Sequence, residues 1–157
     1  MKRIAFLVFV FAASAIAEDA KELKEMAENF ESDVQTVQLC LDEAETTESE
    51  MKAIKEKIDK LDTLDDNIDD ETKKSLEKTN RFIACMLEKK EMMVDSKLNV
   101  DKILEAIEKD SKYHVKQDEV KECLNTLNND KELDREMRAM GMMICLIKNE
   151  KDEDEKK

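Results

Sequence analysis

Four cysteines are the side chains in this sequence best equipped for chemistry: Cys40, Cys85, Cys123 and Cys145. A thiolate can attack a substrate, hold a metal or join a second sulfur. Metal binding has no frame here. Zinc sites use cysteine and histidine ligands at short spacings, whereas this chain has no CxxC or CxH pair and His114 is its single histidine. Nucleophilic attack needs a base and an arrangement to hold it, and no GxSxG, HExxH or phosphate loop is present. The carboxylates are scattered over faces that read as solvated. The sequence therefore predicts no enzyme, no catalytic residue, no cofactor and no metal. His114 reads as a surface residue near a helix start, with a pH-sensing charge as the alternative. Sulfur pairing remains. An even cysteine count in a secreted chain predicts two disulfides, and four cysteines permit three pairings that spacing does not separate. Each bridge closes a loop of tens of residues, worth roughly 3–4 kcal/mol.

Methionine is the second chemical signal. Met86, Met92, Met93, Met137, Met140, Met142 and Met143 cluster in two helical stretches and the turn that follows the first. Such side chains fill irregular cores, and they also line cavities that accept apolar molecules.

The compartment follows from the N-terminus. Lys2 and Arg3 precede an apolar run from Ile4 to Ile16, and Ala15-Ile16-Ala17 offers small residues for cleavage before Glu18. Residues 1–17 thus read as a secretory signal, too short for the ~20 apolar residues that span a bilayer. Removing them, two bases and no acid, takes the formal charge from −13 to −15. A chain so acidic repels nucleic acid and anionic membrane. No later segment reads as a membrane span.

The elements that position these residues read as helices. Proline is absent and glycine occurs once, so no strand or hairpin is expected. The organising stretch is Ser75 to Val100, where Leu76, Phe82, Ile83, Met86 and Leu87 share an apolar face around Cys85. A first helix from Asp19 to Ala44 carries Met26, Phe30, Val34, Val37 and Leu41. Thr47 with Glu50 has capping-box spacing and starts a second helix, Glu48 to Leu61. The acidic stretch Leu61 to Asp70 lacks the glycine and bidentate glutamate of a calcium loop; it reads as a linker with Asp69 or Asp70 capping the central helix. After a turn at Asp95-Ser96, Asn99 or Asp101 caps a fourth helix with Val100, Ile103, Leu104 and Ile107 inward. Ser111 marks a turn. A fifth helix, Val115 to Leu127, turns Val120, Leu124 and Leu127 inward beside Cys123. A sixth, Lys131 to Lys148, aligns Leu133, Met137, Met140, Ile144 and Ile147 beside Cys145. Gly141 inside it costs about 1 kcal/mol relative to alanine, consistent with close helix approach or room for a ligand. The tail Asn149 to Lys157 has nothing to bury.

The cysteine pattern then invites a comparison. Cys85 and Cys123 have 37 residues between them, Cys123 and Cys145 have 21, and the segment Cys85 to Ile103 reads CMLEKKEMMVDSKLNVDKI. With the signal and six helices, the chain resembles the insect odorant-binding proteins of the pheromone-binding and general-odorant-binding family, in the branch with four cysteines. The resemblance covers the mature chain. It implies an all-α bundle of about six short helices with a central apolar cavity, and it implies the pairing Cys40–Cys85 and Cys123–Cys145. The family's second and fifth cysteine positions here hold Arg81 and Glu136, whose opposite charges imply a substitute pair. The sequence departs from the family in a longer Cys40–Cys85 separation, in lacking a glycine at Asp95-Ser96-Lys97, and in its charged tail. The implied organisation is a signal at 1–17, a binding domain at 18–149 and a disordered tail at 150–157.

The implied function is a secreted, extracellular carrier of a small apolar ligand, with a membrane receptor as a further partner and a monomer or weak homodimer as its state. Because the mature chain keeps only Phe30, Phe82 and Tyr113 as aromatics, an aliphatic ligand is expected. The expected lining is Phe30 and Val34 from the first helix, Phe82 and Met86 from the central one, Ile103 and Ile107 from the fourth, Leu124 from the fifth, and Met137, Met140 and Ile144 from the sixth. The alternative is a secreted helical protein of venom, saliva or seminal fluid that acts through its acidic surface.

Overall fold

A computed structural model describes residues 20–59, 68–110 and 114–150. The signal, most of the acidic linker, Ser111 and the end of the tail lie outside the described residues. The chain divides into two units, Met1–Ser75 and Leu76–Lys157.

In the first unit the expected single helix is two. Helix α1 runs through residues 20–29 and α2 spans Val34–Glu43. The break has a clear physical cause. Glu31 adopts φ 47°, Ser32 N–H reaches back to Ala27 O at 2.9 Å and Glu31 N–H to Glu28 O at 3.1 Å, the paired bonds of a Schellman stop. Asp33 then caps α2, accepting from Thr36 N–H at 2.8 Å. That bond, followed by one from the Thr36 hydroxyl, holds the Asp33 carboxyl below its ordinary value. Helix α2 ends the same way: Glu45 sits at φ 53° and Thr46 N–H donates to Leu41 O at 3.1 Å. Helix α3, Glu48–Asp59, starts as its capping signal indicates, with Glu50 N–H on Thr47 Oγ1 at 3.2 Å; the Glu50 carboxylate accepts from the Thr46 hydroxyl at 2.9 Å. Ala27, Val37, Leu41, Ala44 and Ile54 are buried.

Helix α4, Asp70–Lys89, carries the division between the units inside it. Asp69 caps it by accepting from Thr72 N–H at 2.6 Å. It ends on a third stop of the same type, with Glu91 at φ 57° and Met92 N–H on Leu87 O at 2.8 Å.

Three glutamates thus occupy a left-handed position that usually falls to glycine, because a side chain there crowds the following carbonyl at a cost of roughly 1–2 kcal/mol. Glu31→Gly and Glu45→Gly are each expected to stabilise the protein by about 1 kcal/mol, read as a higher urea midpoint at unchanged slope. Glu91→Gly should gain less, because Glu91 also pairs with Lys102.

The second unit departs from the all-helical expectation at residues 93–98. Met93–Val94 (β1) and Lys97–Leu98 (β2) form a minimal antiparallel hairpin. Asp95 and Ser96 take φ 51° and 62°, the double positive φ of a type I′ turn. Glycine usually supplies it; short polar side chains tolerate it too. Helix α5, Val100–Lys109, is capped by Asn99, which accepts from Lys102 N–H at 3.3 Å. Helix α6 spans Gln117–Asn129, two residues later than expected, because Val115 bridges Glu150 antiparallel and Lys116 N–H donates to Asn149 O at 2.9 Å. The first residues of the charged tail are therefore engaged. Helix α7, Arg135–Lys148, starts four residues late because Asp134 caps it through Met137 N–H at 2.8 Å. The fold is all-α, with seven helices among the described residues and two disulfides, Cys40–Cys85 and Cys123–Cys145, the pairing implied by the resemblance.

Candidate functional site

Over Phe82 to Leu87, α4 is enclosed on every side. Phe82, Ala84, Cys85, Met86 and Leu87 are buried, and Ile83 packs against the core of the second unit. A helix apolar all round belongs to an interior. One of its faces, Ile83, Ala84 and Leu87, joins that core. There it meets Ile103 and Ile107 of α5, Val120 and Leu124 of α6, Ala139, Met142 and Cys145 of α7, and Met93 and Leu98 of the hairpin. Among the described residues the cluster holds no aromatic ring. Such an interior is aliphatic, deformable through its methionines, and suited to flexible hydrocarbon rather than to stacking.

Of the expected lining, Ile103, Ile107 and Leu124 fall together in this cluster. Phe82 and Met86 are buried but lie on the other face of α4, outside the cluster. Phe30 is half-buried in the first unit. Val34 is 40% exposed and Met137 54% exposed, so neither belongs to a buried interior. Met140 and Ile144 are half-buried and outside the cluster, and Ile147 is 69% exposed. The inward face of α7 is instead Ala139, Met142, Met143, Cys145 and Leu146.

Three contacts fix that rotation. Cys145 is bonded to Cys123 of α6, with Cα atoms 5.9 Å apart. Gly141 lies against α6 so closely that a Cβ there would stand 2.7 Å from Leu127 Cδ2; the glycine serves helix approach. The third contact is Arg138, only 6% exposed. Its guanidinium donates to Leu127 O at 3.2 Å, Ser96 O at 2.9 Å and Asp130 O at 2.6 Å. Leu127 O lies in the last turn of α6, where carbonyls lack helical partners and the dipole is negative. A buried cation there is satisfied by backbone alone. Asn128 completes the corner: its side-chain oxygen accepts from Leu98 N–H at 2.8 Å and its nitrogen donates to Leu98 O at 2.8 Å, so the amide extends the hairpin edge.

Charged pairs lie outside this interior. Arg135 joins Glu88 at 3.0 Å and Glu136 at 2.9 Å. The substitute pair expected between Arg81 and Glu136 is thus corrected: Glu136 takes its own neighbour, which one residue of helix already places in reach. The Lys102 ammonium, first by hydrogen bond and then by charge, holds the Glu91 carboxyl below its ordinary value, and Lys109 does the same to Glu105. Among the described residues no group of three or more His, Cys, Asp or Glu could hold a metal, and no helix is long and apolar enough to cross a membrane.

A model of the PBP/GOBP family matches residues 18–149. The chain belongs to that family, the insect odorant-binding proteins. No curated protein and no solved structure matches it. Two disulfides fit the family's four-cysteine type. PBP/GOBP proteins are secreted binding and carrier proteins rather than enzymes.

Sequence reasoning missed Arg138 and Asn128. Arg138 stands four residues before Met142 and seven before Cys145, in phase with a buried stripe, and that spacing was its signal. Asn128 carried none: a polar residue at a helix end reads first as a turn.

Proposed function

We propose that this protein is a secreted, non-enzymatic carrier that binds a small aliphatic molecule of the odorant or pheromone type without covalent chemistry. The observation that carries the reading is the family match over residues 18–149. The cluster around Ile103, Ile107 and Leu124, without an aromatic ring among the described residues, supports an aliphatic rather than an aromatic guest, and the signal pattern at residues 1–17 supports export. Affinity would come from apolar area removed from water, at about 25 cal/mol per Å², and selectivity mainly from shape.

Titration of the purified mature chain with a fluorescent fatty-chain probe tests this. Saturable one-to-one uptake is expected, displaced better by a long-chain aliphatic competitor than by an aromatic one of equal carbon number, and lost when the disulfides are reduced. No uptake at micromolar probe overturns the carrier reading and leaves the formal charge of −13 as support for a protein that acts through its acidic surface.

A further inference from the structure

Helix α4 presents the stripe Leu76, Asn80, Ile83, Ala84 and Leu87, residues three and four apart along one face. Ala84 and Leu87 belong to the aliphatic core of the second unit, and Ile83 packs against it. Asn80 is the one amide in that stripe. The residue is half-buried, yet its side-chain oxygen Oδ1 is wholly buried and accepts no hydrogen bond. Buried acceptors are rarely left so, because the desolvated oxygen loses its bonds to water without replacement. Among the other described residues of the unit buried polar groups are matched: Arg138 spends its donors on three carbonyls, and Asn128 uses both ends of its amide on Leu98. Asn80 stands apart from that pattern, at the N-terminal edge of the enclosed part of α4.

We propose that Asn80 is the polar anchor for the guest, and that the guest is an aliphatic alcohol whose hydroxyl donates to Asn80 Oδ1. This rests on the carrier reading and narrows it. A hydroxyl supplies the donor the oxygen lacks, while its alkyl chain lies along the Ile83, Ala84 and Leu87 face. Esters, ketones, ethers and hydrocarbons bring no donor and leave the oxygen unpaired. A site of this kind, mostly apolar with one convergent polar group, orients a ligand through that group.

The test uses the full mature chain, a fluorescent fatty-chain probe and two competitors: a long-chain primary alcohol and the methyl ether of equal heavy-atom count. The wild type is expected to prefer the alcohol by roughly five- to tenfold, the worth of one neutral hydrogen bond. In Asn80→Leu the alcohol and the ether should displace the probe equally, whatever that variant's own affinity for the probe, and the empty variant should melt at a higher temperature, because an unpaired acceptor has been removed. Asn80→Ala should lose the preference too, and it decides the matter if the leucine variant does not fold. Equal affinities in the wild type, a preference for the ether, or a preference that survives in folded variants overturns the anchor while probe uptake leaves the carrier reading standing. Absence of uptake by the wild type overturns both.

Discussion

Arg138→Met is expected to lower the stability of the protein by about 3 kcal/mol. The substitution keeps the length and most of the apolar stem, so packing around α7 changes little. What it removes is the guanidinium that serves Leu127 O, Ser96 O and Asp130 O. An unpaired buried carbonyl costs roughly 1–3 kcal/mol, and bonds from a charged donor are the stronger kind. Against this stands the desolvation of the cation itself, which the variant no longer bears. The carbonyl losses win because three acceptors share one donor group, and because the site lies at the negative end of α6, where a cation is favoured. The three acceptors also belong to separate pieces of chain, the end of α6, the turn after it and the hairpin turn, so the corner loosens as a whole. Thermal unfolding should show a drop of about 10 °C, at roughly 2–4 °C per kcal/mol for a chain of this size. Arg138→Lys should fall between, since an ammonium cannot span three carbonyls with the reach of a planar fork. A loss below about 1 kcal/mol by denaturant unfolding would mean that water reaches the carbonyls, and the corner would have to be described as solvated.

The same corner shows where the sequence was legible. Apolar spacing placed Ile103, Ile107, Val120 and Leu124 correctly, because in α5 and α6 the buried residues are also the apolar ones and nothing competes with them. The cap at Thr47 was readable outright, and those at Asp69 and Asn99 as one of two neighbouring candidates each, because a short polar side chain before a helix has a strong local use. In α7 two stripes were available, Met137 to Ile147 and Ala139 to Leu146. The first looks more apolar, since the second lies beside an arginine. Tertiary contacts decided otherwise: the Cys123 bond, the Leu127 approach to Gly141 and the carbonyl cage around Arg138 all turn the second stripe inward, and Met137 is left 54% exposed. None of these is local. The break between α1 and α2 was hidden for a different reason. Helix stops are usually announced by glycine, and in this chain the left-handed positions at 31, 45 and 91 hold glutamate. Ser32-Asp33 ahead of a new apolar run was the remaining signal. The hairpin was hidden likewise, its turn built from Asp95 and Ser96 where Asn-Gly would have been plain. For the binding site the limit is sharper. Residues that fill a core and residues that line a guest's pocket obey the same periodicity, and among the described residues only the unpaired oxygen of Asn80 sets one position apart.

Replacing Cys123 and Cys145 together by alanine is expected to cost about as much as Arg138→Met, by a different route. The bond spans a sequence separation of 22, and closing a loop of that size removes chain entropy from the unfolded state worth roughly 3.4 kcal/mol. Alanine is the right partner for the test, because Cys145 is buried in the aliphatic core and a serine hydroxyl there would add an unrelated desolvation cost. The native α6–α7 contact keeps its other ties, Gly141 against Leu127 and Arg138 on the α6 carbonyls, so the folded form should persist with little change in helical circular dichroism. The two variants then separate in the denaturant slope. Without the crosslink the unfolded chain expands and exposes more surface, so the slope of the double alanine variant should rise. In Arg138→Met the crosslinks remain and the slope should hold, with only the midpoint falling. A fall in midpoint at constant slope for the cysteine variant would place the effect of the bond in the native state, and the chain-entropy account of it would have to be abandoned.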